Sequence, residues 1–526
     1  MLVGDFIRLN ALARGGDEAL STPDRAWSYA ELNDDINRVA AGLLARGIGR
    51  GDRVAALARN RAEYILLYYA TAKVGALLVP LNYWHRETEH RYTLGDSTPS
   101  LLFVANEFRP VVAAILDDTG LPTVAFPEPD DDAAWTEFLA PAPAGPGVPE
   151  PDAEVQESDP HMILYTSGTT GRPKGALLSH RRTADDAMAM VAALGIRPSD
   201  AFLNFFPPFH VGNWDHMKLY HLAGARMVLI PAFDAGDVLR TIEEKRITVL
   251  LAVPAMWHDL LGHSTFATTD RSSVRVLYYG AYDPSGLMMR VAEEFGAQEG
   301  RVLMYHTYGL TEAGPFVAIC HPHELFDHFG SIGRAMPGVE IALLGPDLAP
   351  VPAGSAGEIC IRGPHMTGYW NKPEESAAAL AGGWLHTGDV AVADPDGYLR
   401  IVDRLKDTIR SGGHNVYSKE VENVLLLHES VEDCAVIGVP DDKYEEKVVA
   451  VVVLRAGFDG GDSQARALQD YVRREAAGYN VPKEIHFTER LPKSSVGKTL
   501  KHELRSTFGS VFPPSTGSDR AAAGAP

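Results

Sequence analysis

Cysteine is scarce in this sequence. Cys320, Cys360 and Cys434 lie far apart with no Cys-x-x-Cys pair, which excludes a disulfide framework or a thiolate zinc site and fits a reducing cytoplasm. Positive charge is also short: 48 Lys and Arg face 69 Asp and Glu, a net charge of -21. Nucleic-acid affinity rests on clustered cations, so the balance argues against a phosphate-backbone binder, although local basic spots remain for a nucleotide. Unbroken apolar runs are missing too. The start, MLVGDFIRLN, has Asp5 and Arg8 where a signal peptide needs apolar residues. Tyr64–Tyr83 carries Lys73, Gly75 and Pro80, and reads as a buried helix followed by a buried strand rather than a membrane span of about 20 residues. No internal repeat is visible. The expectation is a soluble cytoplasmic protein without nucleic-acid or membrane partners; its oligomeric state is unknown at this level.

What is present is a real core. With 45% hydrophobic and 22% charged residues, disorder is excluded for the chain as a whole. Asn60 reads as the cap of a helix to about Lys73, Gly75 ends it, and ALLVPL reads as a strand. Ala225–Ile230, Val249–Val253 and Val274–Tyr278 read as strands and Ala235–Lys245 as a helix. This alternation argues for βαβ units and largely parallel sheets. The Pro-, Ala- and acid-rich stretch from Pro127 to Asp159 reads as a surface connection. After Asp403 the pattern changes: Asp433–Val439, Lys447–Leu454 and Glu484–Thr488 read as strands and Gln464–Ala477 as a helix, a compact α+β unit. PPSTGSDRAAAGAP closes the chain as a disordered tail.

The most informative string is Tyr165–Gly175, YTSGTTGRPKG. It lies between two short apolar strands, HMIL and ALLS. Its glycines and hydroxyls suit a loop whose N–H and O–H groups surround a polyphosphate, with Lys174 adding charge. The Walker spacing is absent. PPFHVGN (Pro207–Asn213), YGLTE (Tyr308–Glu312), WLHTGD (Trp384–Asp389), DRLKD (Asp403–Asp407), SGGHNVYSKEVE (Ser411–Glu422) and SSVGKTLK (Ser494–Lys501) follow in order.

Together these segments resemble the adenylate-forming enzymes: acyl- and aryl-CoA synthetases, peptide-synthetase adenylation domains and luciferases. The resemblance covers residues from about 20 to 507. It implies an α/β fold with a large N-terminal domain (1–403) of two doubly wound sheets plus a small β-barrel part. A hinge (404–407), a small mobile α+β C-terminal domain (408–507) and a disordered tail (508–526) follow.

The resemblance also implies ATP, Mg²⁺ and CoA. Thr166, Ser167, Gly168, Thr169, Thr170, Gly171 and Lys174 would hold the β- and γ-phosphates. Thr311 would contact the α-phosphate and Glu312 would help hold Mg²⁺. Tyr279, Gly280, Ala281 and Tyr282 would line the adenine, Tyr308 would belong to the nucleotide site, and Asp389 with Arg404 would take the ribose hydroxyls. Lys498 would bridge carboxylate and α-phosphate, His210 would orient the acid, and Lys406 would act as the hinge. Ser411, Gly412 and Gly413 would lead the second nucleophile in. The histidines of HPHELFDH (His321, His323, His328) read as a solvated loop, not a metal site.

Three departures bear on the substrate. The run after His210 holds Asn213, Trp214, Asp215, His216 and Lys218 where relatives line an acyl tunnel with small and apolar residues, which favours a small, polar or aromatic acid over a long alkyl chain. Asp215 and Lys218 also share a helix face at this spacing and could simply pair there. Tyr282 and Asp283 replace a small residue and Pro. Glu445 stands where relatives have Gly. The leading expectation is activation of a small aromatic acid and transfer to CoA. The alternatives are an ATP-dependent diazotase taking nitrite and an aryl amine, loading of a carrier protein, or a nucleotide-binding regulator. The retained Lys498, Glu312 and Asp389 argue against the last.

Overall fold

The computed structural model describes residues 1–166, 172–280, 286–441, 443–493 and 499–509. Its contacts divide into two compact units. One comprises Met1–Ala353, Ile359–Thr387 and Ala393–Arg400; the other comprises Gly354–Glu358, Gly388–Val392 and the chain from Ile401 onward.

The first unit contains two large sheets. In the nine-stranded sheet the order is Arg334–Ala335, Gly314–Cys320, Leu303–Leu310, Val276–Gly280, Val249–Ala252, Ala201–Asn204, Arg226–Leu229, Glu18–Ser21 and Ala26–Ser28. The strands from Leu303–Leu310 to Glu18–Ser21 run parallel, and the flanking pairs are antiparallel. The six-stranded sheet runs Thr123–Ala125, Leu101–Val104, Arg53–Leu57, Leu77–Pro80, Pro160–Thr166 and Lys174–Ser179. It is parallel except for its last pair, a hairpin. A further four-stranded sheet has the order Glu340–Leu344, Gly357–Arg362, Leu385–Ala393 and Leu399–Arg404, of which Gly388–Val392 and the chain from Ile401 are counted in the second unit. The α/β architecture expected from the alternating pattern is present.

Helix Ala62–Val74 is buried along its whole length and ends at Gly75 in the left-handed conformation, so its apolar run serves a core. Among the described residues no helix is long and apolar enough to cross a membrane. Its cap differs from the sequence reading. Arg61 occupies the N-cap, while the Asn60 amide donates to the Phe206 and Ile230 carbonyls at 2.8 and 3.4 Å. The side-chain oxygen that a cap would have used accepts instead from Asn213 Nδ2 at 2.9 Å. The acidic stretch after Pro127 is also more than a surface connection. It contains helix Ala133–Leu139, whose buried Trp135 and Phe138 pack on Phe103. Glu150 accepts a hydrogen bond from Lys73 at 2.7 Å.

The second unit holds a five-stranded sheet. Its order is His414–Val416, Ile409–Ser411, Glu445–Leu454 and Val431–Asp441, with Glu484–Phe487 parallel to Glu445–Leu454. Val421, Leu425, Val436, Val448, Ala450, Leu468 and Val472 form its core. The helix expected at Gln464–Ala477 spans Asp462–Glu475.

Candidate active site

Two strand ends and one hairpin build the candidate site of the first unit. In open α/β sheets, ligands bind beyond the carboxyl ends of parallel strands. Gly280 ends its strand and pairs with Thr307 of the neighbouring one. That neighbour ends at Leu310, and a turn closed by the Ala313 N–H on the Leu310 carbonyl at 3.1 Å carries Thr311 and Glu312. The Thr166 hydroxyl donates to Glu312 Oε1 at 3.2 Å, and the Tyr369 hydroxyl donates to the same oxygen at 3.0 Å. Lys174 Nζ lies 5.3 Å from the Tyr369 ring centre. Burial, and then the Glu312 carboxylate, push the Tyr369 hydroxyl well above its ordinary pKa, so it stays protonated and donates.

The loop's ends are fixed from outside. Tyr165 pairs with Gly175 and Thr166 with Lys174 across the hairpin. A Cβ on Gly175 would fall 2.4 Å from Ile163 Cγ2, so that position admits no side chain without a shift. The Tyr165 hydroxyl donates to Asp96 Oδ2 at 2.7 Å, and Tyr92 donates to the Pro173 carbonyl at 2.9 Å. Lys372 Nζ pairs with Asp96 at 2.8 Å. The Trp370 N–H donates to the Gly175 carbonyl at 2.8 Å. This collar holds the strand ends Thr166 and Lys174 in register. Ser167, Gly168, Thr169, Thr170, Gly171, Ala281, Tyr282, Asp283 and Lys498 lie outside the described residues.

His210 caps helix Val211–Ala223. Its Nδ1 accepts from the Gly212 N–H at 3.0 Å, so in the neutral ring the proton sits on Nε2. The helix is buried on every side. Asn213 donates to Asn60 Oδ1 at 2.9 Å, and Trp214 stacks on Tyr68 with ring centres 4.8 Å apart. Lys218 Nζ pairs with Asp215 Oδ1 at 2.7 Å and Asp186 Oδ2 at 2.8 Å, and Arg182 Nη1 lies 3.5 Å from Asp215 Oδ1. The Asp215–Lys218 pair read from helical spacing therefore exists, but in the interior, with Arg182 and Asp186 of helix His180–Leu194 completing a quartet. Burial pushes the Asp215 carboxyl up, while the Lys218 and Arg182 cations outweigh it and hold it below the usual range. Burial holds the His216 imidazole down to about 4.

In the second unit, Arg404 Nε lies 3.2 Å from Asp389 Oδ1. Lys406 sits in the turn Leu405–Asp407, its pKa lowered by burial. Ser411 is buried and pairs with Glu445. Gly412 and Gly413 have positive φ, and the Gly412 N–H donates to the Tyr444 carbonyl at 2.9 Å. Glu445 itself has φ +70°.

The AMP-binding enzyme family matches residues 7–370, and the AMP-binding enzyme C-terminal domain matches residues 420–498. The chain belongs to this family of adenylate-forming enzymes. It is 38% identical to a feruloyl-CoA synthase of an Amycolatopsis species over 487 residues, 92% of this chain and 94% of that one. It is 36% identical to an indoleacetate–CoA ligase of Aromatoleum aromaticum, covering 96% and 98%. The crystal structure of the anthranilate CoA ligase AuaEII with anthranoyl-AMP superposes with a TM-score of 0.86 at 28% identity, covering 97% and 98%.

Within this adenylate-forming unit, Thr166 and Lys174 of one motif meet Glu312 of another, and Gly280 and Tyr308 share adjacent strand ends. Asp389 and Arg404 meet in the other unit. Sequence reasoning missed Tyr369, Asp96, Tyr92 and Lys372, which carry no local motif. The dipeptide Tyr369-Trp370 after Gly368 was the available signal, since aromatics with polar handles seldom lie idle beside a turn. Of the histidines of HPHELFDH, His321 and His323 have ring centres 5.9 Å apart and His323 lies 3.6 Å from Glu324, whereas His328 stacks on Tyr398 and contacts Asp394 at 3.2 Å.

Proposed function

We propose that this adenylate-forming enzyme converts a small aromatic carboxylic acid into its CoA thioester through an acyl-adenylate. The observation that carries the reading is the convergence of Thr166, Lys174, Glu312 and Tyr369 at the carboxyl end of the nine-stranded sheet. A carboxylate lacks a leaving group. Its oxygen attacks the α-phosphorus of ATP, pyrophosphate departs, and the mixed anhydride formed has AMP as a leaving group. The CoA thiol then attacks the acyl carbonyl, losing its proton, and AMP leaves as the thioester forms.

Negative charge grows on phosphorus and pyrophosphate during the first step, so donors already in place lower the barrier. Lys174 and the Tyr165–Gly175 loop would neutralise the leaving pyrophosphate, and Thr311 would donate to the α-phosphate. Glu312 beside the Thr166 hydroxyl offers hard oxygens of the kind Mg²⁺ takes, and the ion would supply charge neutralisation on the phosphates. Tyr369 holds the Glu312 carboxylate in place. His210, with its Nε2–H, would orient the acid carboxylate. Asp389 and Arg404 would take the ribose hydroxyls, and Lys498 would bridge the carboxylate and α-phosphate. Lys406 would be the pivot after which Ser411, Gly412 and Gly413 admit the thiol. The aromatic and polar interior along helix Val211–Ala223 supports a compact ring over a long alkyl chain, as do the aromatic acids named for the relatives.

The deciding experiment incubates the enzyme with ATP, Mg²⁺ and a panel of aromatic acids with and without CoA. CoA-dependent AMP release with a thioester product is expected. A diazo product formed from nitrite and an amino-substituted acid without CoA, or transfer to a carrier protein alone, would reject CoA as the acceptor.

A further inference from the structure

Among the side chains of the first unit whose buried polar atoms find no hydrogen-bond partner among the described residues, three adjoin one another. They are Arg182 (Nε, Nη1 and Nη2), Asp215 (Oδ2) and His216 (Nε2). Each side chain belongs to a residue no more than 4% exposed. The ion contact from Arg182 Nη1 to Asp215 Oδ1, at 3.5 Å, is too long to satisfy that guanidinium. Buried donors and acceptors left unmatched are costly. A polar ligand atom is one way to match them.

Their place in the fold says which ligand. A Cβ on Gly314 would lie 2.7 Å from Arg182 Nη2, so the guanidinium presses on the backbone two residues beyond Glu312. The His216 ring lies 4.9 Å from Phe316 and 5.9 Å from Tyr278, and Tyr278 sits on the strand that ends at Gly280. The trio therefore borders both strand ends of the adenylation crevice. Along the helix, His216 lies six residues from His210, an axial distance of about 9 Å. An aromatic acid whose carboxylate meets His210 spans a comparable length. The rings of Phe202, Tyr278 and Phe316 around His216 offer an aromatic wall. Arg182, Lys218, Asp186 and Asp215 sum to no net charge, so the electrostatics favour a neutral group over an ionised one.

We propose that Arg182, Asp215 and His216 form the far end of the acid pocket and select an aromatic acid bearing a hydroxyl or amino group on the ring, remote from the carboxylate. This rests on the acid-activating reading above. The guanidinium offers donors, Asp215 Oδ2 accepts, and the neutral imidazole, whose Nδ1–H donates to the Gly212 carbonyl at 3.0 Å, accepts at Nε2, so a group that both gives and takes a hydrogen bond is matched on each side. A site built this way rejects analogues without the group strongly, because its own buried atoms are then left unpaired.

The test is ATP–pyrophosphate exchange with matched benzoic and cinnamic acids carrying hydroxyl, amino, methyl or no substituent at the meta and para positions. The methyl acids fill the same volume without hydrogen bonding. The wild-type enzyme is expected to favour at least one hydroxyl or amino acid over its methyl counterpart by about 10²-fold or more in kcat/KM. In His216→Phe, which keeps a ring in the stack and removes Nε2, that ratio should fall at least tenfold. If His216→Phe does not fold, the wild-type ratios decide alone. Equal exchange with polar and methyl acids would overturn the proposal and leave these atoms to internal water. Exchange with aliphatic acids only would overturn it while leaving adenylation intact. Exchange with no acid at all would sink it together with the functional reading beneath it.

Discussion

Replacing Glu445 with glycine should stabilise the second unit. Glu445 opens the strand Glu445–Leu454, is exposed, and has φ +70°. The left-handed region costs a residue with a Cβ about 1–2 kcal/mol, and glycine almost nothing. Against this, a glycine adds unfolded-state entropy worth about 0.5–1 kcal/mol. The exposed side chain gives up no buried area, so the net gain is about 0.5–1 kcal/mol. In a unit of roughly 100 residues that is a rise of about 2–8 °C in its Tm, read by calorimetry of the full chain. Glu445→Ala separates the causes, because it removes the charge and keeps the Cβ. If alanine stabilises as much as glycine, backbone strain is not the reason. If glycine lowers the Tm, the conformation assigned to Glu445 is wrong. Glu445 pairs with Ser411, so the glycine variant also removes a carboxylate beside the proposed thiol path. The KM for CoA should fall or stay level; a rise would mean Glu445 helps CoA rather than repels it.

Three further outcomes are expected. Lys498→Ala should slow pyrophosphate exchange by about 10²–10³ with an unchanged fold; exchange near the wild-type rate would remove Lys498 from the mechanism. Tyr369→Phe deletes a hydrogen bond to a carboxylate, worth about 1.5–3 kcal/mol where it is made, and should lower kcat/KM for ATP by at least tenfold and raise the Mg²⁺ requirement, whereas an unchanged Mg²⁺ titration would detach Tyr369 from Glu312. Burial holds His90, His180, His216 and His221 down to about 4, so the unfolded chain binds protons first as pH falls below about 6.5. Their contribution is complete above that pH and is lost towards pH 4, at about 1.4 kcal/mol per pH unit for each histidine; a urea midpoint that does not move between pH 7.5 and 5 would contradict it.

The Tyr165–Gly175 hairpin and the YGLTE turn were legible because both sit where an apolar run stops and turn residues begin, a signal contained in a dozen residues. Tyr369 and Asp96 were not, because their partners Glu312 and Tyr165 lie tens of residues away and only tertiary packing joins them. Asn60 shows the same limit from the other side. Its type and position suit a cap, yet two strand-end carbonyls and Asn213 compete for it and win. Glu445 was marked by resemblance alone, as a residue where relatives carry glycine. Its φ gives that difference a physical content no composition argument contains.

Helix Val211–Ala223 is the most instructive case, since its residue types were read correctly and their surroundings were not foreseeable. Spacing puts Asp215 and Lys218 on one face, and a polar face normally means water. Here Trp214, Met217, Leu219 and Tyr220 bury the helix all round. Two charges taken from water need compensation, and one mutual pair leaves each with unused hydrogen-bonding capacity. Arg182 and Asp186 come from a helix some thirty residues earlier in the chain to supply it. The clue was Lys218 between Met217 and Leu219: a lysine embedded in a core helix must find carboxylates. Once Asp186 is counted against Lys218, Arg182 is left in excess of hydrogen-bond donors, and a polar group of the substrate can answer that excess.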